Sequence, residues 1–83
     1  MKRWMVVLKF EQKNQEQIRS LVPAERAHVG ELMNQKVLEA IYIAGDNSQV
    51  WLVINSTSAE EVEKLLADFP LHKYFESEAT ALL

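Results

Sequence analysis

The chain has 83 residues, a net charge of −3 and no cysteine, which makes one small domain, 1–83. Without thiols there is no disulfide framework, no thiolate metal site and no cysteine nucleophile. The acidic balance, with no basic run beyond Lys2-Arg3, argues against a nucleic-acid partner.

The opening Met-Lys-Arg resembles the start of a signal peptide. The apolar run behind it, Trp4 to Leu8, is too short for one and is broken by Lys9. No stretch approaches the roughly 20 apolar residues of a membrane-spanning helix. A cytoplasmic setting, with no membrane partner, is expected. His28 and His72 are the only histidines and stand far apart, so no metal site is expected. No glycine-rich phosphate loop or nucleophile elbow is present, and no cofactor is expected.

Residues 3–10 predict a first strand. Trp4, Val6, Leu8 and Phe10 alternate with Met5 and Val7, so both faces are apolar at its centre. After a polar connector, Asn14 with Gln17 three residues on reads as a helix start, with Ile18, Leu21 and Val22 as its apolar side. Pro23 removes a backbone donor and crowds the preceding turn, which predicts a kink or break at 21–23. A main helix then runs over 23–35.

At 100° per residue, Val29, Leu32 and Met33 share one face of that helix with Val22. Glu25 falls inside the same arc and His28 at its edge, with Arg26 on the other edge. A carboxylate in an apolar stripe is suited to proton transfer, because desolvation makes it a stronger base. The competing reading takes Pro23 as the first helical position and Glu25 as a first-turn charge that complements the helix dipole. His28 is a candidate proton shuttle, or an inert helix-flank histidine. Gly30 inside the helix predicts close approach of the helix to the sheet.

Residues 37–44 predict a second strand, in which Tyr42 is a candidate donor to a developing oxyanion or simply a packed strand tyrosine. Gly45-Asp46-Asn47-Ser48 returns the chain as a hairpin. Residues 49–55 are nearly all apolar, as a strand buried on both faces would be. Ser58 and Glu61 form a capping box ahead of Val62, Leu65, Leu66 and Phe69, and Pro70 closes that helix. Residues 73–82 predict a last strand, whose Glu76 and Glu78 suit an exposed edge better than a catalytic pair.

The order β-α-β-β-α-β predicts an α+β ferredoxin-like fold: a four-stranded antiparallel sheet with two helices on one face. Right-handed crossovers put the first and third strands in the centre. The face without helices keeps apolar residues on both central strands, and a second copy of the chain is expected to cover it.

The stretch from Ala24 to Leu82 resembles the muconolactone isomerase family. The resemblance rests on Phe69-Pro70-Leu71-His72-Lys73-Tyr74-Phe75-Glu76-Ser77-Glu78, on Leu82, and on the spacing through Ile41 to Gly45 to the second helix. Glu25 stands where the family has a glutamate near the start of its main helix. Lys36 stands where a glycine would be expected to end that helix. The resemblance implies a dimeric α+β barrel, often assembled into a higher oligomer. It also implies a cofactor-independent isomerase that shifts a double bond in a small lactone or similar carbonyl compound by proton transfer. Glu25 would then be the base, assisted by His28 or Tyr42. Two alternatives stay open: a module that binds a small molecule without catalysis, and a purely structural subunit.

Overall fold

The computed structural model describes residues 2–83. The elements follow the expected order: β1 (Lys2–Phe10), α1 (Gln15–Asn34), β2 (Leu38–Ile43), β3 (Gln49–Ser56), α2 (Ala59–Ala67), a 3-10 turn (His72–Tyr74) and β4 (Phe75–Ala81). The strands form one sheet in the order β2-β3-β1-β4, all pairs antiparallel, so the first and third strands are central as expected.

Strand alternation sorts the sheet residues onto two faces. Trp4, Val6 and Leu8 of β1 and Leu52 and Ile54 of β3 are buried with Leu32 of α1, Val62 and Leu66 of α2, and Phe69. Both helices therefore cover the same face. On the other face, Met5 lies opposite Val53 and Val7 opposite Trp51. Leu52, Val53 and Ile54 are all buried, which matches the uninterrupted apolar run of β3. β4 is an edge strand with Glu76 and Glu78 exposed. It is shorter than expected, because residues 72–74 turn in a 3-10 step before the strand begins.

The barrel implied by the resemblance is absent. The sheet is open, with β2 and β4 as separate edges not bonded to each other. Four strands are too few to close on themselves; even small closed barrels use about eight. The ferredoxin-like topology stands without the barrel.

The break expected at Pro23 is absent too. α1 is one continuous helix of 20 residues with Pro23 inside it. Residue 23 cannot donate to the Arg19 carbonyl, yet the apolar stripe continues across the proline from Ile18 and Val22 to Val29 and Leu32. That shared face holds the two halves in one helix. The capping box expected at Asn14 does not form: Asn14 is left-handed, with φ 61°, and caps no N–H with its side chain. At α2 the box is half formed. The Ser58 hydroxyl accepts from the Glu61 N–H at 3.1 Å, but the Glu61 carboxylate takes the hydroxyls of Ser56 and Thr57 instead, each at 2.8 Å.

α1 ends as its composition foretells. Lys36 adopts φ 62°, the left-handed conformation that glycine would occupy without strain. The Asn55 side chain donates to the Lys36 carbonyl at 3.1 Å and fixes the turn into β2. In the hairpin, Asp46 Oδ1 accepts from both the N–H and the hydroxyl of Ser48, while Asn47 takes φ 63°.

Candidate active site: a cleft under the long helix

The stripe along α1 is only partly covered. Leu32, near its C-terminal end, is its one buried residue, while Ile18, Val22 and Val29 are half-buried. Between this part of α1 and the sheet lies a cleft of about 640 Å³. Its floor comes from Leu8 and Phe10 of β1, Val50 and Leu52 of β3, and Ile41 and Ile43 of β2. Phe69 and Leu71, from the turn after α2, contribute to its wall. The lining is mainly apolar, with charge supplied by Glu25, Arg19 and Arg26 of α1.

Glu25 lies eleven positions into α1, not in its first turn, where Glu16 stands instead. The helix-dipole account of Glu25 therefore fails, because that effect dies away within one turn. Its carboxylate reaches the turn after α2, where Oε1 accepts from the Leu71 N–H at 3.2 Å. The local hydrogen bonding leaves that N–H free. Phe69 N–H donates to the Leu66 carbonyl, His72 N–H donates to the Phe69 carbonyl, and Pro70 has no N–H. Burial pushes the Glu25 carboxyl above its ordinary value, and the hydrogen bond from Leu71 partly offsets this. A carboxylate with one oxygen anchored and raised basicity can accept a proton from a carbon acid held in the cleft.

His28 packs edge-on against Phe69, with ring centroids 5.0 Å apart, and is not among the residues lining the cleft. Its Nε2 is buried and has no hydrogen-bond partner. Phe69 touches both His28 and the cleft. Tyr42 lies on the opposite face of the sheet. Its neighbours Ile41 and Ile43 line the cleft, so alternation turns Tyr42 away, opposite Trp51 and 62% exposed. It does not meet Glu25 within its own chain. His72 is exposed on the 3-10 turn, with its ring 5.8 Å from that of Phe75.

Arg19 escaped the sequence reading, and Arg26 entered it only as a flank. Their seven-residue spacing puts both on the cleft side of α1, two turns apart. That spacing was visible, but the helix start misplaced at Pro23 separated Arg19 from the stripe. Neither forms an ion pair; among the described residues the one salt bridge joins Arg3 to Glu39, at 3.1 Å. Among the described residues no group of three or more histidine, cysteine, aspartate and glutamate side chains is placed to hold a metal ion. No helix among them is long and apolar enough to cross a membrane.

An open ferredoxin-like sheet whose helix-covered side holds a half-buried carboxylate in an apolar cleft defines a small α+β protein with a site suited to proton transfer. The chain belongs to the muconolactone delta-isomerase family, whose model matches residues 4–83. At the level of that family the chemistry is isomerisation of a small lactone or similar carbonyl compound by proton transfer, without a cofactor. Its structure is similar to that of 5-chloro-2-hydroxyhydroquinone dehydrochlorinase from Burkholderia phenoliruptrix AC1100, solved with 2,5-dihydroxybenzoquinone. The TM-score is 0.74 at 15% identity, covering 96% of this chain and 93% of that one, which is a likeness of fold. A search of curated proteins finds no match.

Proposed function

We propose that this chain isomerises a small unsaturated lactone or related carbonyl compound, with Glu25 as the general base. The observation that carries the reading is the Glu25 carboxylate itself. It is half-buried in an apolar cleft, anchored through Oε1 by the Leu71 N–H, and made more basic by burial. In the reaction the second oxygen removes a proton from carbon beside the substrate carbonyl. The C–H electron pair moves into a new carbon–carbon double bond, and the carbonyl pair moves onto oxygen. Return of the proton to the far carbon of the conjugated system shifts the double bond, and the carboxylate is regenerated. A hydrogen-bond donor placed at the enolate oxygen lowers the barrier. The Arg19 and Arg26 guanidiniums supply donors on the cleft side, whereas Tyr42 faces away. His28 supports the site from behind Phe69.

The experiment is replacement of Glu25 by glutamine, assayed on a panel of unsaturated lactones in heavy water. Turnover and deuterium uptake into substrate should fall by orders of magnitude with the fold intact. Unchanged exchange in the variant removes Glu25 as the base. No exchange even with the wild-type chain leaves the second reading, a module that binds a small molecule without converting it, which the mainly apolar lining supports. The unfilled cleft weighs against a purely structural role.

The same reading includes a homodimer, in which the helix-free face packs against a second copy. Support comes from the half-buried Met5, Val7 and Trp51 on that face, flanked by the exposed Tyr42. A cytoplasmic setting completes it, in keeping with the cysteine-free composition.

A further inference from the structure

Gly30 is the position at which the backbone of α1 itself lines the cleft. A glycine inside a helix is destabilising relative to alanine, and two circumstances usually justify it. One is a positive φ, which Gly30 does not have. The other is a neighbour too close for a side chain. A Cβ built at Gly30 meets no atom within 4 Å outside its own helix turn, so the close approach to the sheet expected from the sequence is absent. Gly30 is exposed and lines the cleft, so the open space beside it is continuous with the cleft mouth. Arg26 stands one turn before it along α1 and Met33 nearly one turn after, and all three line the same cavity. Val29, Ile41 and Ile43 supply apolar lining on the helix and strand sides.

We propose that Gly30 is the specificity-determining position of the cleft. The side chain it lacks leaves the room in which the flat apolar body of a ligand lies along α1, with its oxygen-bearing end toward Arg26. This rests on the cleft being a ligand site, not on Glu25 being a base. A methyl group at this position narrows the cleft slightly. A leucine side chain reaches into the mouth of the cleft and leaves less room for a ring.

The test uses the full chain and 8-anilinonaphthalene-1-sulfonate, a probe with two apolar ring systems and one anionic group. Wild type, Gly30→Ala, Gly30→Leu and Glu25→Gln are titrated, with affinity read from probe fluorescence and location from backbone amide shifts. Thermal melting is recorded in parallel. The wild-type chain should bind with shifts centred on residues 26–33 and 41–43. Affinity should fall in the order Gly, Ala, Leu, by at least tenfold at leucine, while neither substitution lowers the melting temperature. Glu25→Gln removes a like charge from the cleft and should bind the anionic probe more tightly even where it abolishes turnover, which separates this proposal from the assignment of the base. Any other order of affinities overturns the proposal, as does a wild-type chain whose cleft residues do not shift. A lower melting temperature in either glycine variant also overturns it, since the glycine would then be needed for packing.

Discussion

The Glu25 carboxylate and the Leu71 N–H, 46 residues apart in the chain, meet at 3.2 Å and join α1 to the turn after α2. The contact has two consequences at once. It holds one carboxylate oxygen still at the cleft, and it satisfies the one N–H of the 69–72 turn that has no local acceptor. The hydrogen bond favours the charged form of the half-buried carboxylate, while burial still leaves its proton affinity raised.

That raised affinity makes stability depend on pH in a defined direction. Burial lifts the Glu25 carboxyl above its ordinary 4.5, so between 4.5 and the folded value the native chain binds more protons than the unfolded one. Stability from this group is then fully present below 4.5 and falls as pH rises through the folded value. Glu61 has the opposite sign, because the hydroxyls of Thr57 and then Ser56 hold its carboxyl low; its contribution is lost as the solution is acidified. Denaturant unfolding of wild type and Glu25→Gln across this range isolates the first effect. The variant should gain on wild type as pH rises from 4.5 toward neutrality. A difference that does not vary with pH rules out the buried carboxylate as its source.

Lys36 carries a conformational cost that glycine would remove. A side chain in the left-handed region costs about 1 kcal/mol. Glycine gives back part of this through the greater freedom of the unfolded chain, leaving a net gain of roughly 0.5 kcal/mol. Lys36→Gly should raise the melting temperature by about 2–4 °C, as expected for a domain of this size. The Asn55 hydrogen bond to the residue-36 carbonyl is available to either residue. A lower melting temperature would show that the lysine side chain contributes something its backbone conformation does not reveal.

The helix-free face makes a prediction about assembly. Sedimentation at micromolar concentration should show a species of twice 9.6 kDa. Val7→Lys places a charge in the apolar band opposite Trp51 and should shift that species to monomer or to aggregate. Trp51 fluorescence should move to longer wavelength as the dimer separates. A wild-type chain that sediments only at 9.6 kDa ends the homodimer proposal.

Much of this fold could be read from periodicity, and the exceptions have identifiable causes. Val6, Leu8, Leu52 and Ile54 are buried where alternation and an apolar run put them, because sheet faces repeat every second residue. Glu25 was found in the apolar arc for the same kind of reason, at 100° per residue. Pro23 misled because its local rule is strong, yet a stripe running from Ile18 to Leu32 outweighed it. Tyr42 misled because a strand shows two faces, and only the register with Trp51 says which one the helices cover. The cleft itself could not be read. Its existence depends on how far α1 stands from the sheet, and no residue pattern encodes a distance between layers.

The half-covered stripe of α1 has a thermodynamic consequence. Ile18 and Val22 line the cleft half-buried, so this part of the helix lacks the packing that Leu32 enjoys nearer its C-terminal end. A molecule seated there would act as a piece of the hydrophobic core that the chain itself does not encode. At a free concentration one hundred times its dissociation constant, such a molecule adds about 2.7 kcal/mol to folding stability. For a domain this small, that is a sizeable share of the total. Occupancy of the cleft and persistence of the native state are therefore coupled, and the abundance of the folded chain would rise with the supply of its ligand.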